Sequence, residues 1–408
     1  MKYLKRELER KFLKMNEVFK VILVTGARQV GKTTMLKHLA ENEQRTFVTM
    51  DNAQNRELAE RDPALFFQMY KPPILIDEIQ KAPALLDVIK EMCDATDETG
   101  LFWLTGSESR KLQQEAGDSL AGRVCILRMY GLSQKEKMGV TEESTFSFAL
   151  GNLTERQGHF PENDIQSVFD FIWHGSMPGT LQMDQEQLYE YYDSYINTYL
   201  CRDAVDDNGI TNTGAFIRVL RACTAFIGGL VNYSDLAAAG GVSVPTAKSW
   251  VGILQNMGII YLLEPFASNE LKRLVKTPKL YFCDTGLAAC LSMWTSRDVL
   301  MTGAANGHFF ENYVVMEFLK MYSSSSSKVK LTFYRDSNQK EIDLIIEENG
   351  ILHPVEIKIA VSPDNKVIKT FNVLKTTTSI KGRGAVVCMT GRVFPVDADN
   401  CLVPCNII

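Results

Sequence analysis

Two sets of residues in this chain have types and spacings suited to chemistry. The first is Gly26-Ala27-Arg28-Gln29-Val30-Gly31-Lys32-Thr33, followed by Thr34, a full match to G-x-x-x-x-G-K-[ST]. Glycines at that spacing let backbone N–H groups wrap phosphates, Lys32 reaches the β- and γ-oxygens, and Thr33 offers a hydroxyl to Mg²⁺. Downstream, "ILIDEIQ" ends an apolar run on Asp77, placed to hold Mg²⁺ through its water shell, with Glu78 next in line to orient or deprotonate a water. Either residue could instead cap a helix. In "LFWLTGSES", Ser107 or Thr105 stands at another strand end, to touch the γ-phosphate or to cap a helix. A small-molecule kinase would need an acceptor lid and no Asp-Glu pair, so ATP hydrolysis with Mg²⁺ leads.

The second set lies in "QKEIDLIIEENGILHPVEIKIA", residues 339–360. Asn349-Gly350 predicts a two-residue hairpin loop, because that turn needs positive φ at both central residues. The register then sets Glu348 against Ile351, Asp343 against Glu356 and Glu341 against Lys358. Like charges directly opposite destabilise a hairpin. A divalent cation between Asp343 and Glu356 would reverse that, and Lys358, on the face of Glu356, would steady a bound water or developing negative charge. The alternative is a surface hairpin in which Glu341 pairs with Lys358, worth roughly 0–1 kcal/mol. Pro354 cannot donate to a ladder and is expected to threaten the register.

The elements that would position these residues follow from periodicity. Within an expected first domain of residues 1–165, the stretch from 1 to about 130 alternates apolar runs ("VFKVILVTG", "RTFVTMD", "PPILIDEIQ", "LFWLTGS", "RVCILRM") with helical stretches, the pattern of a mainly parallel sheet wrapped by helices. In the same domain, 139–165 is polar and Gly-rich and reads as loop. Residues 166–228 read as an aromatic-rich helical region. Residues 229–290 have the rhythm of a winged helix-turn-helix: a helix over 235–239, a Gly240-Gly241 turn, and a second helix capped by Ser243 with Pro245 in its first turn. Val251, Leu254 and Met257 would face inward, and Thr246, Lys248 and Ser249 outward toward a groove. Lys272, Arg273, Lys276 and Lys279 are expected near the wing. Residues 300–408 form a separate α/β pattern, opened by "GHFFENYVVMEFLKMY" with Glu311 beside an apolar stripe, and interrupted by the serine run 323–327, read as a flexible loop.

Composition narrows the field. The 408 residues suggest two to three domains, and the net charge of −5 leaves nucleic-acid binding to local patches. No apolar run approaches the roughly 18 residues of a membrane span. Nine cysteines without CxxC pairs argue against zinc ribbons and disulfide frameworks, and point to a reducing, cytoplasmic setting.

"GARQVGKTT", "ILIDEIQ", "LTGSES" and "SLAGRV", in that order, resemble prokaryotic AAA-superfamily P-loop ATPases that carry a C-terminal restriction-endonuclease-like domain of the PD-(D/E)xK type. The resemblance extends through "YINTYLCRDA", "YFCDTGLA" and "FFENYVVMEFL" to the final hairpin. It implies a sensor role for Ser107 and, for Arg123, a guanidinium that reaches a neighbouring subunit's nucleotide, hence a homo-oligomer. It also implies that Glu311, Asp343 and Glu356 converge on a metal with Lys358 beside them. The expected fold class is therefore α/β multidomain: a P-loop sheet, a helical and winged-helix middle, and a nuclease-like end. The expected function is Mg²⁺-dependent ATP hydrolysis coupled to the binding or processing of double-stranded DNA. The alternatives are a signalling NTPase whose C-terminal domain binds without cutting, a P-loop kinase, and a DNA-binding regulator.

Overall fold

The computed structural model describes residues 3–41, 43–107, 110–141, 146–162, 164–206, 208–266, 276–377 and 379–408. They fall into two compact units. The first holds residues 1–132 with the short segments 256–259 and 323–325, and the second holds 133–255, 260–322 and 326–408. The boundaries expected after 165, 228 and 290 all lie inside the second unit.

In the first unit, strands β1 (Val21–Gly26), β2 (Thr46–Thr49), β3 (Ile74–Asp77), β4 (Phe102–Ser107) and β5 (Val124–Arg128) form one parallel sheet in the order β2-β3-β4-β1-β5. All five were expected as strands. Alternate residues of β1 feed opposite cores. Val21 and Leu23 join Phe66, Phe67, Ile89 and Phe102, whereas Ile22 and Val24 join Phe12, Met35, Leu36 and Trp103. A parallel sheet needs apolar cover on both faces, and the near-continuous apolar runs supply it. Because β4 lies between β1 and β3, its C-terminal end projects polar side chains between the phosphate loop and Asp77.

The second unit corrects one expectation at once. The polar stretch after 139 holds a helix, Leu150–Gln157, whose Leu153 and Arg156 are buried. Arg156 reaches this interior by donating from Nε to the carbonyl of Ile407 at 2.5 Å. Further on, helices Tyr233–Gly240 and Val244–Asn256 flank Gly241, which takes a left-handed conformation (φ 68°). Ser243 Oγ accepts the backbone N–H of Thr246 at 3.2 Å, the expected cap. Val251 and Leu254 are buried as expected, joined by Ala247 and Trp250, while Met257 is half-buried. Lys248 and Ser249 are exposed and Thr246 is half-buried. The antiparallel pair β6 (Ile260–Leu263) and β7 (Lys279–Phe282) follows.

The remaining strands are β8 (Val329–Arg335), β9 (Glu341–Glu348), β10 (Ile351–Lys358), β11 (Ile380–Lys381), β12 (Gly384–Cys388), β13 (Phe394–Pro395) and β14 (Asn400–Pro404). They make a mixed sheet in the order β13-β14-β12-β10-β9-β8, with β11 against β10. The expected hairpin register is present, from Ile351 opposite Glu348 to Val355 opposite Leu344. Pro354 does not disturb it. On the other side of β10, β11 pairs with residues 351–352 and β12 with 355–358, so the proline falls in the gap where no N–H is needed. The preceding helix, Asn306–Ser324, takes in the first two serines of the run expected as loop.

Candidate functional site

The phosphate loop joins β1 to helix Lys32–Ala40. Gly26 has φ 155°, and a Cβ there would lie 2.2 Å from the carbonyl oxygen of Met129, so only glycine fits. Gly31, at φ 98°, ends the loop, and Gln29 is also left-handed at φ 63°. Val30 is buried, Ala27 and Arg28 are half-buried, and Gln29 and Thr34 are exposed. Buried Lys32 folds back along the loop, its Nζ donating to the carbonyls of Gly26 and Ala27 at 2.9 Å each. From the N-terminal segment, Arg6 donates to the carbonyl of Val30 at 2.7 Å and to that of Tyr130 at 2.7 Å, bracing the loop from behind.

Asp77 is a hub of hydroxyls. Thr33 and Thr105 both donate to its Oδ1, Thr105 at 2.6 Å, and Thr49 donates to Oδ2 at 3.3 Å. These bonds leave no helix-capping duty for Asp77. Glu78 stands in the left-handed region (φ 58°) with its N–H donated to Thr105 Oγ1 at 3.0 Å. Gln80, which the sequence did not single out, donates from Nε2 to both Glu78 Oε2 and Ser107 Oγ, the latter at 3.0 Å. Lys32, Thr33, Asp77, Glu78, Thr105 and Ser107 thus gather at one edge of the sheet. The hydroxyl of Thr33 and carboxylate of Asp77 are hard oxygen donors in direct contact, and they suit Mg²⁺.

Arg123 is elsewhere. It precedes β5, whose first residue pairs with Val21 at the start of β1, on the order of 16 Å down the strands from the phosphate loop. There its Nε donates to Asp94 Oδ1 at 2.6 Å, a bond that holds the Asp94 carboxyl below its ordinary range.

In the second unit, Glu311 and Asp343 converge on a residue placed elsewhere by the sequence, and Glu356 and Lys358 join them through Asp343. Lys279 was expected among exposed wing cations; it is fully buried. Its Nζ lies 2.9 Å from Glu311 Oε1, 2.5 Å from Glu341 Oε1 and 3.8 Å from Asp343 Oδ1. Tyr281, two residues on and therefore on the same strand face, donates to Glu311 Oε1 at 2.7 Å. Lys358 sits 2.7 Å from Glu356 Oε1 and 3.4 Å from Asp343 Oδ2, and that same Oδ2 accepts the N–H of Ile357 at 2.9 Å. Glu341 pairs with Lys279 and with Arg335 (3.0 Å), not with Lys358.

Burial pushes the Glu311 carboxyl up to about 7, with Lys279 opposing and Asp343 adding to the rise. Burial and then Asp343 push Glu356 up to about 8 against Lys358. Burial works to lower both lysines, but the surrounding carboxylates outweigh it and hold their ammonium groups above the ordinary range. Among the described residues, no group of three or more His, Cys, Asp or Glu stands as a metal ligand set. Of the three carboxylates expected to share a metal, Glu311 and Asp343 face the Lys279 ammonium group and Glu356 faces that of Lys358. Of the other cations expected near the wing, Lys276 is exposed, whereas Lys272 and Arg273 lie outside the described residues.

Comparison with known proteins adds family context. Residues 18–138 match a family model described as AAA domain, residues 165–298 a domain of unknown function (DUF8612), and residues 306–408 a second domain of unknown function (DUF4143). Uncharacterized proteins of Mycobacterium bovis and Mycobacterium tuberculosis are each 27% identical over 346 residues, covering 84% of this chain and 71% of theirs. Among solved structures, a Walker-type ATPase of Pyrococcus abyssi aligns with a TM-score of 0.43 at 14% identity, covering 70% of this chain and 95% of that one. The RuvB Holliday junction branch migration motor of Thermotoga maritima aligns with a TM-score of 0.32 at 16% identity, covering 63% and 89%. The N-terminal unit carries an AAA-type P-loop ATPase domain, and the second unit holds a separate mixed sheet. Among the described residues, no helix is long and apolar enough to cross a membrane.

Proposed function

We propose that the chain is a Mg²⁺-dependent ATP-hydrolysing switch whose C-terminal sheet binds a partner without cutting nucleic acid. The observation that carries the first half is the Asp77 hub: a carboxylate shared by Thr33 and Thr105 hydroxyls, at the sheet edge where Lys32 and the phosphate loop lie. Thr33 and Asp77 would hold Mg²⁺, which neutralises phosphate charge when bound. Lys32 leaves the loop carbonyls to grip phosphate oxygens, exchanging two neutral acceptors for an anionic one. Glu78 then orients the attacking water, its carboxylate aimed by Gln80, and Ser107 shares that amide. Arg123 is too far down its own sheet to serve this site, so its reading as a contributor to a neighbouring subunit's nucleotide goes with a homo-oligomer. Measuring phosphate release by Lys32→Ala and Asp77→Asn proteins tests the assignment. Wild-type turnover in either one removes it.

The second half rests on the carboxylate cluster, where Lys279 takes the place a metal would need. DNA contact is a second reading, favoured by the exposed Lys248 and Ser249 on the helix after Gly241 and by exposed Lys276. Duplex binding that weakens steeply with salt, and weakens further in Lys248→Ala, would support it. Binding indifferent to both would leave the helix as a protein-interaction module.

A further inference from the structure

We propose that Lys279 is a built-in cation of the C-terminal sheet: it fills the carboxylate cluster, excludes divalent metal from it, and latches β7 to that sheet. The inference goes beyond the nucleotide-site reading and does not depend on it. Three carboxylates from two elements (Glu311 on the long helix, Glu341 and Asp343 on β9) face a single Nζ. Mg²⁺ at that point would need oxygens at about 2.0–2.1 Å in near-octahedral array, and the ammonium group already spans the same oxygens. A doubly charged ion beside it would be repelled at close range in a site with little water to screen the pair.

The lysine is held there rather than resting there. Asn312 brackets Phe282, accepting its N–H at 2.7 Å and donating to its carbonyl at 2.8 Å, which pins β7 to the helix that carries Glu311. Strand alternation from that anchor turns Lys279 and Tyr281 together toward Glu311. On the far side of Glu311, a Cβ added at Gly228 would come within 3.2 Å of its Oε2, so the carboxylate has little room to swing away. Lys358 closes the other end by bridging Asp343 and Glu356, leaving Glu356 Oε2 as the one buried carboxylate oxygen of the cluster without a hydrogen-bond partner.

The test is Mn²⁺ binding by the full chain, followed by electron paramagnetic resonance, in an Asp77→Asn background that removes the other carboxylate suited to the ion. The background protein is expected to bind no Mn²⁺ at millimolar concentration. Adding Lys279→Ala should create a site at least about tenfold tighter, and adding Asp343→Asn should abolish it. Two results would overturn the proposal: equally tight Asp343-dependent binding without the lysine substitution, or a folded Lys279→Ala chain that binds nothing. A second measurement needs no variant that might misfold. Amine acetylation of the wild-type chain, mapped by mass spectrometry, should leave Lys279 protected equally with and without millimolar Mg²⁺. Acetylation of Lys279 that appears only with Mg²⁺ would mean the metal displaces it, and the latch would be refuted.

Discussion

The phosphate site and the carboxylate cluster both gather acidic and basic side chains at strand ends, yet they treat their lysines in opposite ways. Lys32 is bonded to neutral carbonyls of its own loop, a partnership easily exchanged for a phosphate. Lys279 is bonded to Glu311 and Glu341, which a small ligand would not readily displace. The first arrangement keeps a cation ready for an incoming anion. The second has already consumed its cation. Similar side chains therefore serve a binding site in one unit and internal cohesion in the other, and for Lys279 it is the bond to two carboxylates that makes the difference.

The sharpest way to break this comparison is to remove Lys279. Lys279→Met leaves buried carboxylates without their counter-charge, and breaking a buried ion pair from one side costs about 3–5 kcal/mol. Denaturant unfolding followed by a probe in the second unit should show a loss of that size. A change below about 1 kcal/mol would place Lys279 among ordinary surface pairs. The matching change at the other site, Lys32→Ala, should lower ATP turnover by about 100-fold or more while unfolding shifts little, because water can satisfy the Gly26 and Ala27 carbonyls it leaves behind. Large destabilisation by Lys32→Ala would erase the distinction. Next in size is Gln80→Leu, which releases Glu78 and Ser107 from their shared amide. A fall in kcat of about tenfold with KM little changed is expected, and a rise in KM alone would assign Gln80 to ground-state binding.

How these sites could be read from sequence follows the same division. The phosphate loop, Asp77 and the five parallel strands were legible because each lies within a short run whose spacing carries the chemistry. The β9–β10 register was legible for the same reason: Asn349-Gly350 fixes a two-residue turn, and period two does the rest. Lys279 was not, since it stands 32 residues before Glu311 and 62 before Glu341, and no local rule joins them. A signal existed in "PKLYF", where a lysine opens an otherwise apolar strand and shares a face with Tyr281, but basic neighbours in "ELKRLVK" suggested a solvated surface instead. Polar composition likewise disguised the helix 150–157, whose Arg156 is buried against the nearby Phe160 ring and bonded to the Ile407 carbonyl at the other end of the chain. Gln80 escaped because a neutral amide carries no motif, only a position.

The smallest effect concerns a third lysine that stands between these extremes. Lys137 donates to the carbonyls of Gly175 and, at 3.5 Å, Phe171, capping the C-terminal end of helix Ile165–His174. Its hydrogen bonds are to carbonyls, and the residue is half-buried where Lys279 is fully buried. Burial and then Lys320 lower its pKa, Glu317, Asp284 and Glu136 oppose them, and the outcome is about 8. The folded value lies below that of the unfolded chain, so above pH 8 the unfolded state binds more protons and this group's contribution to stability rises with pH. Between pH 8 and 9 the gain is about 1 kcal/mol, and it should be absent from Lys137→Met. Unfolding free energies of both proteins at the two pH values decide the point. Parallel slopes would mean that Lys137 keeps its proton throughout, and that carbonyl partners alone, aided by its distant carboxylates, can hold a buried ammonium charged as firmly as Glu311 and Glu341 hold Lys279.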